Sequence, residues 1–351
     1  MKRSLMMLGC CLAAVSSAEA FTVFAPDETV KTEGGNFSIS FGEYREFLGD
    51  SFDTELGQWV SSYGDRQTGM APGSEYYASF VNSVVRAFNT MEDTIASKPS
   101  RTMNVQVVFA VDSGRTQGAS ADPWWQDYSS GNNLLTYGDL GVSGEQASTV
   151  ARVNKVEYLW KYGKSDAGTA ASYDVQITFR SPTVYADGNF GSFFVGENPA
   201  DYTVGQYDVE TITLHEMGHA LGFHTGAGTV NGGESAMDLL TESQPSSLLG
   251  GGLEWHFTGE TTTALNGGED VRLMPGVNSY DPHTRSPEGL LMADGTRNPG
   301  TMRDFTELEK AMLQDLGWEL TNPIVLPATP EPSTATLSLL ALAGLLARRR
   351  R

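Results

Sequence analysis

The sequence predicts an α+β domain built on a mixed sheet, with a central helix and a C-terminal helix, and three observations carry that prediction. Apolar residues Phe80, Val84, Ala87, Phe88 and Met91 recur at helical spacing over 76–95, and beyond Pro99 the β-prone run 105–111 (Val-Gln-Val-Val-Phe-Ala-Val) follows. Residues 173–179 alternate apolar and polar with period two, the signature of a strand. Two later stretches then carry complete helix grammar, one opening at Asp208 and stopping at Gly222, the other opening at Thr306 and stopping at Gly317.

With 351 residues, 40% of them hydrophobic, the chain is long enough to bury a sizeable core as one large domain or two modest ones. Its formal charge of −20 argues against a nucleic-acid partner, because phosphate binding needs clustered Lys and Arg. Residues 1–20 read as a secretory signal: Lys2 and Arg3, an apolar stretch from Leu5 to Val15, and Ala18-Glu19-Ala20 before Phe21. Both cysteines, Cys10 and Cys11, fall inside it, so the exported chain is expected to have no disulfide. At the other end, 323–351 reads as a linker and tail: Pro330-Glu331-Pro332-Ser333, an apolar run from Ala335 to Ala347, and Arg348 to Arg351. That run is shorter than the ~20 residues of a comfortable membrane span. The tail resembles the PEP-CTERM sorting signals of Gram-negative bacteria. The resemblance implies an exosortase-type sorting machinery as partner, transient membrane contact through the tail, and a secreted or cell-surface location. A simple tail anchor is the alternative.

Between these ends, 21–73 alternates weakly and is expected to form a small subdomain or a pro-like segment, with 74–322 as the main domain. The 76–95 helix and 105–111 strand open that domain. Residues 112–170, rich in Gly, Ser and Asp and carrying Trp124, Trp125 and Tyr128, read as loop whose aromatics pack it down. The 173–179 strand is a natural edge for pairing with an extended peptide. In the helix opened by Asp208, Leu214, Met217 and Leu221 form a core stripe, with His215 and His219 on another flank. Gly218 permits close backbone approach, and Gly222 suits a left-handed stop. The 225–278 insertion shows no clear periodicity and is expected either to shape a cleft or to be a surface loop. In the last helix Thr306 and Glu309 make a capping box and Leu308, Met312 and Leu316 an apolar stripe.

The chemistry lies in His215-Glu216-Met217-Gly218-His219. Residues four apart share a helix face, so His215 and His219 can present two imidazoles to one zinc ion, with Glu216 placed as general base. The alternative is two ordinary core or surface histidines. A catalytic zinc takes three protein ligands and keeps one position open. The segment resembles the metzincin peptidase pattern H-E-x-x-H-x-x-G-x-x-H through Gly222, but the residue three beyond that glycine is Thr225, and His224 comes one position early. Further on stand Asn278-Ser279-Tyr280-Asp281-Pro282-His283, then Gly289-Leu290-Leu291-Met292, then the helix ending Asp315-Leu316-Gly317-Trp318. This order is similar to leishmanolysin-like metzincins and to secreted bacterial PEP-CTERM metallopeptidases. The resemblance implies a zincin fold, in which the third zinc ligand is His283 and the Met-turn is Met292. His224 is the alternative third ligand, with His256 or a carboxylate behind it.

The expected activity is that of a secreted zinc endopeptidase acting on a protein or peptide substrate. One zinc ion activates a water, Glu216 takes its proton and delivers it to the leaving amine, and Tyr280 is a candidate donor to the oxyanion. Calcium binding is left open. The competing reading is a non-catalytic, surface-displayed matrix or adhesion protein on a zincin scaffold, which has no use for Glu216.

Overall fold

The core of the molecule is a five-stranded mixed sheet crossed by the first long helix. The computed structural model describes residues 24–44, 50–53, 58–61, 75–111, 118–123, 129–130, 133–165, 173–181, 193–202, 206–224, 233–245, 253–273, 284–286, 290–293 and 303–327. The signal 1–20, Trp124, Trp125 and Tyr128, the tail from 328 on, and both Tyr280 and His283 lie outside the described residues.

Strands β1 (Phe24–Lys31) and β2 (Phe37–Tyr44) form an antiparallel hairpin, and β2 runs parallel to β3 (Met103–Val111). Beyond them lies β4 (Gly118–Pro123), antiparallel to β5 (Val175–Ser181), which is itself parallel to β3. The order across the sheet is β1-β2-β3-β5-β4. In β3, Met103, Val105, Val107, Val108 and Phe109 are all buried, as a strand covered on both faces requires.

Helix α1 (Glu75–Thr94) lays the expected stripe on this sheet. Phe80 meets Phe109 and Phe179 edge to face at 5.3 and 4.9 Å, and Phe88 meets Phe37 at 4.8 Å. Residues 24–44 are therefore not a unit of their own. Phe37, Ile39 and Phe41 belong to the same core as α1, and Glu92 of α1 accepts hydrogen bonds from the Gly34 and Asn36 amides in the β1–β2 turn.

A second correction concerns the edge of the sheet. Residues 173–179 were expected there, yet β5 is hydrogen-bonded on both sides, and Gln176 and Thr178 are buried, with Gln176 donating to Gln106 at 3.0 Å. Alternation reports which faces a strand shows, and says nothing about whether its hydrogen-bonding edges are paired. The edge is instead β4, whose Gly-Ala-Ser-Ala-Asp-Pro sequence lacks β-branched residues and lies inside the stretch read as loop.

Two further elements complete the frame. After the short parallel pair β6 (Phe193–Phe194) and β7 (Tyr207–Asp208) comes α2 (Val209–Ala220), which packs against α1 and β4. The insertion then folds as an antiparallel sheet in the order β8 (Thr241–Pro245), β9 (Leu253–Phe257), β10 (Val271–Leu273) and β11 (Thr284–Ser286). Phe257, Val271 and Leu273 join the main core, and the short helix Glu260–Leu265 is held by Asp315, which accepts from the Thr261 and Thr262 amides at 3.0 and 2.8 Å. Asp315 ends α3 (Glu307–Asp315), the C-terminal helix, whose Thr306–Glu309 capping box is present as expected. Among the described residues no helix is long and apolar enough to cross a membrane.

Candidate metal centre

Helix α2 begins and ends where its sequence says it should. Asp208 is the N-cap, accepting from the Thr211 amide at 3.1 Å and the Thr211 hydroxyl at 2.6 Å. Arg303 grips the same carboxylate with two hydrogen bonds, at 2.7 and 3.1 Å, and donates to the carbonyls of Gly196 and Glu197. Glu210 lies between Arg86 at 3.0 Å and Arg303 at 3.4 Å; burial lifts its carboxyl above the usual value although both arginines oppose the shift. At the other end Gly222 takes φ 113°, and the amides of Phe223 and Gly222 donate to the carbonyls of Gly218 and His219 at 3.2 and 3.1 Å. This is a Schellman stop, which needs a residue at ease with positive φ.

Between these ends the helix buries the flank that carries the histidines as well as the expected core stripe. Thr211, Thr213, His215 and His219 are buried together with Leu214, Met217 and Leu221, because α1, β4 and the Leu291–Met292 turn surround the helix. Across 208–224 only Glu216 is not buried.

The two imidazoles stand with ring centroids 5.0 Å apart and planes at 86°. Nδ1 of His215 lies 2.6 Å from the Leu291 carbonyl oxygen, and Nδ1 of His219 lies 2.8 Å from that of Phe223. A carbonyl only accepts, so in both rings Nδ1 carries the proton and Nε2 the in-plane lone pair. Metal-ligating histidines are commonly oriented this way, with one ring nitrogen donating to the protein and the other left as the ligand atom. The pair thus fits two ligands of one zinc ion.

The structure also packs Met292 against this helix. Met292 is fully buried, and a Cβ placed on Gly218 would collide with its Sδ. The Met292 amide donates to Glu309 Oε1 at 2.6 Å, and the Met292 carbonyl accepts from the Thr284 amide at 2.8 Å. Thr284, which follows His283 in the sequence, is thus tied to the same turn that holds His215. Gly218→Ala is expected to cost about 1–3 kcal/mol by overpacking, even though alanine is the better helix former. In urea unfolding the penalty should shrink in a Met292→Ala background, the non-additivity expected of residues in contact.

The alternative ligand His224 points elsewhere. Its Nε2 lies 2.7 Å from Glu157 Oε2, with both side chains buried, and its carbonyl accepts from the Ser235 hydroxyl at 2.8 Å. Arriving one residue early in the turn after Gly222 sends the ring into the core. Around it the turn is held by Asn154, which donates to the Ala220 carbonyl at 2.8 Å, and by Trp318 Nε1, which donates to the Leu221 carbonyl at 2.6 Å. Burial raises the Glu157 carboxyl, but His224, Lys161 and the Asn154 amide outweigh it and hold the group below its ordinary value. His256 lies on β9, with Nε2 3.7 Å from Glu254.

Among the described residues no group of three or more His, Cys, Asp and Glu side chains converges on one point. Two buried carboxylates escape a reading of the sequence. Glu157 opens a π-helical turn, Glu157–Lys161, inside the stretch read as loop, and Glu309 was legible only as a capping residue. The nearby Thr136–Asp139 capping box did carry a local signal that could have placed the helical turn Tyr137–Leu140. No protein-family model matches the chain, and no curated protein matches it.

Proposed function

We propose that this chain is a secreted zinc-dependent endopeptidase with a metzincin-like zincin domain over 74–322. The single observation that carries the proposal is the matched orientation of His215 and His219, each donating Nδ1–H to a carbonyl, with the His215 acceptor next to Met292. His215 and His219 would hold one zinc ion, with His283, as the family resemblance implies, as the third ligand; His224 does not converge with the pair. When bound, zinc makes water a usable nucleophile near neutral pH and polarises the scissile carbonyl.

The chain's own residues supply the rest. Glu216, the one member of 208–224 that is not buried, is assigned to take a proton from the attacking water and pass it to the leaving amine. Tyr280 is assigned to donate to the developing oxyanion. The edge strand β4 lies against α2 and, among the described residues, pairs within its sheet on one side only, which suits an extended peptide adding as a further strand. The signal at 1–20 and the PEP-CTERM-like tail would export the protein and hand it to an exosortase-type machinery.

The test is metal analysis combined with casein hydrolysis on the purified chain. Wild type should hold one zinc, lose activity to a chelator and regain it with zinc. His283→Ala should lose the metal, whereas His224→Gln should keep it. Full zinc and full activity in His283→Ala would remove that residue from the site. Bound zinc without any hydrolysis by wild type would favour the adhesion or matrix reading.

A further inference from the structure

Glu309 is more than the capping residue of α3. A capping box needs one carboxylate oxygen, and Oε2 provides it, accepting from the Thr306 amide at 3.0 Å and the Thr306 hydroxyl at 2.8 Å. The second oxygen, Oε1, is directed out of the helix to the Met292 amide at 2.6 Å. The side chain is fully buried, and burial raises its pKa above the ordinary carboxylate value despite these hydrogen bonds. A surface cap would satisfy the helix without burying a carboxylate. What burial achieves is to bring that carboxylate to the turn whose carbonyl, at Leu291, holds His215 Nδ1 at 2.6 Å.

We infer that Glu309 is a positioning residue for His215, fixing the Leu291–Met292 peptide so that the Leu291 carbonyl sets the tautomer and tilt of the imidazole. The chain of contacts is short and rigid. The Glu309 carboxylate grips the Met292 amide, that N–H and the Leu291 carbonyl are the two ends of one planar peptide, and the carbonyl meets the ring. Met292 cannot shift to compensate, because its side chain is fully buried against Gly218. Partners that orient a metal-ligating histidine typically change metal affinity by 10–100-fold when removed. The inference rests on the zinc reading above for its consequence, but the orientation of the ring is a property of the chain alone.

The experiment compares Glu309→Gln with Thr306→Ala in the full chain. Glutamine keeps one acceptor oxygen and replaces the other with an NH2 donor, so it cannot accept from both Thr306 and the Met292 amide. Thr306→Ala weakens the same cap while leaving Glu309 its contacts to the turn. The first readout is the Nδ1–H resonance of His215 in metal-free, histidine-labelled protein, assigned by its loss in His215→Ala among the five histidines. It should broaden by solvent exchange or shift in Glu309→Gln and stay in place in Thr306→Ala. The second readout is zinc affinity by chelator competition together with the visible spectrum of the cobalt-substituted protein. Glu309→Gln should bind zinc roughly 10–100-fold more weakly with altered cobalt bands, and Thr306→Ala should match wild type in both. An unmoved His215 resonance in Glu309→Gln overturns the inference, and so does equal disturbance by both variants. A moved resonance in a wild-type chain that binds no zinc would sustain the positioning role and overturn the metal reading instead.

Discussion

Replacing Glu216 by glutamine is expected to lower peptide hydrolysis by roughly 10²–10⁴-fold, the usual contribution of a positioned general base, while zinc content stays at the wild-type level. The two consequences separate because Glu216 has a different place in the helix from the histidines. His215 and His219 are buried and held by the Leu291 and Phe223 carbonyls, whereas Glu216 is the one residue of 208–224 that is only partly buried. Glutamine has nearly the same shape and keeps the helix, so stability should move by no more than about 0.5 kcal/mol, the range of most surface substitutions. Removal of either histidine should act in the opposite order, with metal lost first and activity lost with it. The measurement is turnover of casein or a labelled peptide alongside zinc analysis on the same sample. A Glu216→Gln protein with unchanged kcat would sink the assignment of the base, and with it the strongest argument for an enzyme over an adhesion protein.

How much of this was legible in the sequence depended on whether the signal was local. The ends of α2 were, because capping is decided within a turn: Asp208 bonds Thr211, and Gly222 supplies the positive φ of the stop. So was the pairing of two imidazoles on one helix. Met292 was singled out through a family resemblance, and its contact with Gly218, the buried Sδ against the glycine, appears only once the turn is folded onto the helix. The edge strand was missed because Gly118–Pro123 has no strand propensity of its own and gains its conformation from the backbone ladder of β5. The second sheet was missed for a similar reason. Its strands are short, and between β9 and β10 only two residue pairs are in register, too few to leave a periodic trace. Glu157 and Glu309 show the general limit. A carboxylate whose role is to hold a backbone segment far away in sequence looks, in the sequence, like any other glutamate.

The largest stability effect is expected at Asp174, remote from the candidate site. Asp174 stands at the start of β5 and ties it to β3: its carboxylate accepts from the Asn104 amide at 2.7 Å, and its own amide donates to the Asn104 carbonyl at 2.7 Å. Lys155 Nζ lies 2.8 Å from one oxygen with both side chains at most 2% exposed, and Arg101 donates to both oxygens at 2.7 and 2.8 Å. Burial alone would raise this carboxyl, but Arg101, Lys155 and the Asn104 amide together hold it below the usual carboxylate range. Asp174→Asn removes the negative charge and leaves the Lys155 ammonium buried without it, which should cost about 3–5 kcal/mol. The pH dependence has a fixed sign. A carboxylate with a depressed folded pKa contributes stability above its unfolded value of ~3.9 and loses it as pH falls through the lower folded value. Wild type should therefore weaken in acid more steeply than Asp174→Asn, and the two unfolding curves should converge as pH drops below about 4. Adding Lys155→Met to Asp174→Asn should recover much of the loss at neutral pH, because an apolar side chain of similar length has no charge to strand. Urea midpoints at neutral and acid pH for the three proteins decide the matter. A penalty that stays constant across that range, or a double variant no more stable than Asp174→Asn, would mean that the Lys155–Asp174 pair is not what couples β5 to β3.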